Sequence, residues 1–125
     1  MTYYTVINCM DGRVQRPALD YLTDRFGVDY VDSITESGVN GALARREDPA
    51  LVESILRKVS ISIDKHHTIG IAVAGHYDCA GNPGDKDHQN RDTVEAVRFL
   101  RERFPDTPII GLWIDENWTC HGLDV

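Results

Sequence analysis

Residues 68-TIGIAVAGHYDC-79 set a short apolar run directly against a histidine and a cysteine three positions apart. The run is β-branched and lacks polar alternation, the pattern of a strand buried on both faces. Strands of that kind belong to parallel sheets covered by helices, so His76 and Cys79 should stand where a strand ends and a loop begins. Two such side chains raise the question of a metal, and of where its other ligands come from.

Working outward, 3-YYTVIN-8, 28-VDYVDSI-34 and 108-PIIGLWI-114 also read as strands. Helical spacings lie between them. Pro17 suits a first helical position, followed by Leu19, Leu22 and Phe26, with Gly27 as a stop signal. Asp48 and Pro49 read as N-cap and first residue of a second helix, whose inward stripe is Val52, Leu56, Val59 and Ile63. A third helix is expected to start near Asn90 to Asp92 and to bury Val94, Val97, Leu100 and Phe104 before Pro105 and Pro108 end it. This β-α-β-α-β-α-β order predicts an α/β fold, a mostly parallel four-stranded sheet of order 2-1-3-4 flanked by helices. No repeat or linker-like segment interrupts it, so residues 1–125 are expected to form a single domain.

The composition supports a globular chain, since 42% hydrophobic and 26% charged residues fit neither a disordered nor a membrane protein. No apolar run is long enough to span a bilayer, and the first residues carry no secretory pattern, so a cytoplasmic location is expected. A net charge of -7 argues against nonspecific nucleic-acid binding but not against a small anionic substrate. Three cysteines, Cys9, Cys79 and Cys120, are too few and too scattered for a disulfide scaffold.

In a 2-1-3-4 sheet, strands one and three are neighbours at the switch point, where ligands bind outside the strands' carboxyl ends. Cys9 ends strand one, while His76 and Cys79 follow strand three, so the three should meet there. Two thiolates and an imidazole suit Zn²⁺ with a fourth position left for water. Asp11 is the candidate for that fourth position. Because two thiolates already cancel the charge of the metal, an added carboxylate would close the centre. Arg13 competes for the same carboxylate through charge-assisted, bidentate hydrogen bonds. Asp11 is therefore read as a gate, ligating zinc only in a closed state. Taken singly, Cys9 reads as a small buried hydrophobe, His76 as a loop histidine, and Asp11 with Arg13 as a surface ion pair. Their convergence on one crevice favours the metal.

The stretch 9-CMDGR-13 matches a Cys-x-Asp-x-Arg motif and 76-HYDC-79 a His-x-x-Cys motif, and together they resemble the β-class carbonic anhydrases. The resemblance implies Cys9, His76 and Cys79 as zinc ligands, with Asp11 and Arg13 as the catalytic dyad. It further implies reversible hydration of carbon dioxide to bicarbonate by metal-bound hydroxide, in a homodimer or higher homo-oligomer. Three other readings stay open: a hydrolase of carbonyl sulfide or carbon disulfide, linear cumulenes like CO2, on the same centre; a noncatalytic zinc-binding or regulatory module; and a metal-free small-anion binder that uses helix N-termini and Arg13. The chain departs from the family where it reads 35-TESG-38, which introduces Glu36, and at Ala80 after the second motif cysteine. The loop 80-AGNPGDKDHQN-90 reads as a solvated turn, with a substrate lid as the alternative. Adjacent Cys120 and His121 are poorly placed to share a metal. Trp113 and Trp118 suggest instead that the tail packs on the body or on a partner. His66 and His67 suit a helix C-terminus.

Overall fold

The four apolar runs form strands, and a fifth strand that sequence reading does not anticipate extends the sheet. A computed structural model describes residues 1–125, with strands β1 (Tyr3–Asn8), β2 (Tyr30–Thr35), β3 (Ile71–His76), β4 (Ile109–Ile114) and β5 (Cys120–Leu123). Helices α1 (Gly12–Phe26), α2 (Val39–Arg45), α3 (Pro49–His66) and α4 (Lys86–Arg103) connect them. The sheet order is β2-β1-β3-β4-β5, parallel throughout except for β5, which runs antiparallel to β4. The expected 2-1-3-4 core is thus present, enlarged by one edge strand. At four residues, 120-CHGL-123 carries too little pattern to reveal itself, and its pairing depends on the turn that precedes it.

Successive side chains of a strand point to opposite faces, and the core divides accordingly. Ile7, Ile71, Val73 and Ile109 face α2, α3 and α4, where Leu43, Val52, Ile55, Leu56, Val59 and Leu100 pack on them. Tyr4, Val6, Ala72, Ala74, Leu112 and Ile114 face α1 and its buried Val14, Ala18 and Leu22. With helices on both faces, β1 and β3 are buried almost throughout, which accounts for their unbroken apolar runs.

Two helix starts differ from the sequence reading, and one short helix is additional. Helix α1 begins at Gly12 rather than Pro17, because the Asp11 side chain caps it by accepting the Arg13 N–H. Pro17 lies inside the helix, where its missing N–H leaves the Arg13 carbonyl without a helical partner. Helix α4 begins at Lys86, several residues before the expected start, with Asp85 accepting the His88 N–H at 2.8 Å. The second half of the supposed 80–90 turn is therefore helix. Helix α2, seven residues long, is too short to show a period in sequence. Helix α3 starts at Pro49 under an Asp48 cap, as expected. No helix is long and apolar enough to cross a membrane.

Candidate metal centre

Strands β1 and β3 lie side by side, in register Ile7 to Val73, and both end at the same edge of the sheet. Cys9 follows β1 directly, His76 is the last residue of β3, and Cys79 comes one tight turn later. Their ligand atoms all lie within 4.8 Å of one another, and the residues are 5%, 2% and 4% exposed. The structure thus brings together the three residues expected to meet.

The chemistry of the three donors fits zinc. Nδ1 of His76 is 2.7 Å from the Tyr77 carbonyl oxygen, which can only accept, so Nδ1 carries the proton and Nε2 presents a lone pair. That Nε2 is fully buried and has no hydrogen-bond partner. A buried nitrogen without a partner is costly unless something else satisfies it. The two sulfurs are 4.0 Å apart. Tetrahedral zinc with Zn–S bonds of about 2.3 Å sets two thiolates about 3.8 Å apart, so the pair needs little adjustment. Burial, and then the neighbouring Cys9, push the Cys79 thiol above its usual range. A metal would displace that proton.

Backbone N–H groups surround the sulfurs. Gly38 donates to Cys9 Sγ at 3.5 Å, and the backbone N–H groups of Gly81 and Asn82 favour the thiolate of Cys79. Two glycines make this approach possible. A Cβ on Gly38, which has φ of 59°, would stand 2.5 Å from the Gly81 carbonyl carbon, and one on Gly81 would meet the Gly38 nitrogen at 2.7 Å. The loops after β2 and β3 therefore touch backbone to backbone.

Asp11 is not part of the sulfur–imidazole cluster. Its Oδ1 accepts the Arg13 backbone N–H at 2.9 Å and Nε at 3.1 Å, and its Oδ2 accepts Nη2 at 2.7 Å. Hydrogen bonding from the guanidinium holds the Asp11 carboxyl down at about 2, and the same pairing raises the Arg13 value. Gln15 straps the turn by donating to the Cys9 and Asp11 carbonyls at 2.8 and 2.9 Å.

Behind the cluster lies a polar network that sequence reading missed. Asn82, 2% exposed, donates to Asn40 Oδ1 and Asp92 Oδ2, while its own Oδ1 accepts from Arg45 and lies 2.8 Å from His88 Nε2. Gln89 Nε2 donates to the Asn82 carbonyl at 2.6 Å, and Gln89 Oε1 accepts the His76 N–H at 3.2 Å. This network fastens the Cys79 loop to α2 and α4. His88 belongs to it, which gives the histidine a structural place in the 80–90 segment. Polar residues scattered from Asn40 to Asp92 leave no motif, so only the three-dimensional fold reveals the set.

The remaining singled-out residues lie elsewhere. Glu36 is half-buried just past β2, with its backbone N–H on the Asn8 carbonyl at 3.3 Å. Cys120, in β5, has its thiol pushed up to about 12 by burial, and His121 Nε2 is 2.6 Å from Asp115 Oδ2. His66 Nδ1 is 2.6 Å from Asp32 Oδ2 at the end of α3, and His67 is the left-handed cap of that helix.

Residues 1–124 match the family model described as "Putative carbonic anhydrase". No curated protein matches the chain. Among solved structures, the chain is similar to a carbonic anhydrase from Glaciozyma antarctica, with 18% identity, a TM-score of 0.65, and 94% of this chain covering 80% of that one. It is also similar to the β-carbonic anhydrase CafD of Aspergillus fumigatus, with 15% identity, a TM-score of 0.68, and coverages of 99% and 90%. A third similar structure is a tetrameric β-carbonic anhydrase of Sordaria macrospora, with 12% identity, a TM-score of 0.64, and coverages of 100% and 82%. These identities establish a shared fold. With the family model matching nearly its whole length, the chain belongs to this carbonic anhydrase family and has the α/β fold of the β class.

Proposed function

We propose that the protein catalyses zinc-dependent reversible hydration of carbon dioxide, with Cys9, His76 and Cys79 as the zinc ligands. The observation that carries this reading is the buried three-donor cluster whose His76 Nε2 has no partner, beside an Asp11 carboxylate already engaged by Arg13. Zinc at such a site supplies Lewis acidity, which brings the ionisation of water toward neutral pH. Three protein donors leave a fourth position for substrate or water, whereas four would close it.

The chain's own residues set up that chemistry. The Tyr77 carbonyl fixes the His76 tautomer, so that Nε2 faces the sulfurs with its lone pair. The N–H groups of Gly38, Gly81 and Asn82 draw electron density from the thiolates. That withdrawal offsets the loss of Lewis acidity that two anionic sulfurs would otherwise impose. Arg13 occupies both Asp11 oxygens, and Asp11 also caps α1, so moving the carboxylate to a metal would break an ion pair and a helix cap together. We take residues 1–125 as one catalytic unit, acting in a homo-oligomer as the tetrameric relative does.

Stopped-flow measurement of CO2 hydration tests the reading. The zinc-loaded chain should accelerate hydration, and a Cys9→Ser variant treated identically should not. Equal rates at both neutral and alkaline pH would refute it, and sulfide release from carbonyl sulfide in its place would move the activity to the other cumulenes.

A further inference from the structure

Four non-glycine residues have positive φ: Arg46, His67, Asp78 and Trp118. Arg46 and His67 are the left-handed C-caps of α2 and α3, an ordinary use of that conformation. Asp78 and Trp118, at φ of 56° and 59°, end no helix. For a residue as bulky as tryptophan this backbone is strained, and strain persists only where surrounding contacts hold it.

These two residues come from different loops, one between β3 and α4 and the other between β4 and β5, and both touch Arg13. Arg13 Nη1 donates to Asp78 Oδ2 at 3.2 Å and Nη2 to the Asp78 carbonyl at 3.1 Å. The guanidinium carbon sits 4.4 Å from the centroid of the Trp118 ring, and Tyr77 meets that ring edge-on at 6.3 Å. The turn bearing Trp118 is itself fastened. Asp115 Oδ1 accepts the N–H groups of Asn117 and Thr119 at 2.9 and 3.0 Å, and Oδ2 is 2.6 Å from His121 Nε2.

Building on the metal site proposed above, we infer that Asp78 and Trp118 are positioning residues that hold Arg13 on Asp11 and thereby keep the Asp11 carboxylate off the metal. An arginine whose side chain is 45% exposed has many rotamers, and a lone ion pair at such exposure does little to select one. Here the indole covers one guanidinium face, Asp78 takes Nη1 and shares Nη2, and Nε and Nη2 are thereby aimed at Asp11. Arg13 also ties the loop bearing Cys9 to the turn that leads from His76 to Cys79. The C-terminal hairpin, which presents Trp118 to Arg13, thus acts on the state of the metal site.

Azide titration of the cobalt(II)-loaded full chain, followed by its visible spectrum, tests this. Trp118→Leu and Asp78→Gly should each weaken azide binding by about 3- to 30-fold, the range expected for losing a cation–π or comparable contact, because the freed Asp11 competes for the fourth position. Trp118→Phe, which keeps a ring, should recover most of the loss. Adding Asp11→Asn, which retains the cap but ligates poorly, should restore azide binding in either variant. Glycine adopts the backbone of residue 78 without strain, so the Asp78→Gly thermal midpoint should not fall, which separates positioning from a merely structural role. Unchanged azide affinity in both variants, or a loss that Asp11→Asn does not reverse, overturns the inference. An unsubstituted cobalt-loaded chain with no azide response overturns the metal-site reading itself, and the inference with it.

Discussion

His76 shows how one hydrogen bond sets the character of a site. With Nδ1 committed to the Tyr77 carbonyl, Nε2 has no protein partner and is fully buried, a cost that a metal removes. Replacing Cys79 by Ser should therefore let a chelator strip zinc that the unsubstituted chain retains, as measured by metal analysis after dialysis; equal retention would contradict its role as a ligand. Arg13→Ala should lower the CO2 hydration rate roughly 10- to 100-fold, the usual effect of losing a group that supports a metal site from outside its ligands, and an unchanged rate in the stopped-flow assay would contradict it. At this scale much was legible in the sequence. Cys9, Asp11, Arg13, His76 and Cys79 stand in short spacings whose chemistry can be read directly. Asp78 and Trp118 were not legible, because their contacts with Arg13 depend on turns separated by most of the chain.

Among the elements, those with strong hydrophobic patterning were readable and those held by polar or backbone contacts were not. Strands β1, β3 and β4 and helix α3 bury long stripes, so their sequences announce them. Helix α2 buries only Val39 and Leu43 as apolar anchors and is otherwise held through Asn40, Asn82 and Arg45, while β5 depends on the Asp115 turn, and neither signal is periodic. The Gly38–Gly81 contact gives one prediction. Gly38→Ala combines a left-handed backbone with a Cβ facing the Gly81 carbonyl, so it should destabilise the fold by more than about 2 kcal/mol in denaturant titration; a change near zero would contradict the close approach. The hairpin gives another. Hydrogen bonding from His121, and then from the Thr119 N–H, holds the Asp115 carboxyl below its ordinary value of 3.8. A depressed folded-state value means stabilisation that is present above the unfolded value and lost as pH falls through the folded one. The thermal midpoint of Asp115→Asn should therefore lie below that of the unsubstituted chain at neutral pH, with the gap closing as pH falls below the ordinary carboxylate value of 3.8. A gap that persists unchanged to pH 2 would remove Asp115 as the anchor of the turn.

On the scale of the whole molecule, the parallel order β2-β1-β3-β4 does the assembling. It makes β1 and β3 neighbours, ends both at one edge, and so joins two short motifs from distant parts of the chain into one cluster. That consequence of topology could be anticipated from the alternation of strands and helices. The antiparallel β5 could not, and it is the element that carries Trp118 to the guanidinium of Arg13. The most direct test is a crystal structure of the zinc-loaded chain at neutral pH. The account predicts zinc on Cys9 Sγ, His76 Nε2 and Cys79 Sγ, with both Asp11 oxygens still on Arg13. A metal bound elsewhere, or an Asp11 carboxylate completing the tetrahedron while Arg13 stands apart, would contradict it.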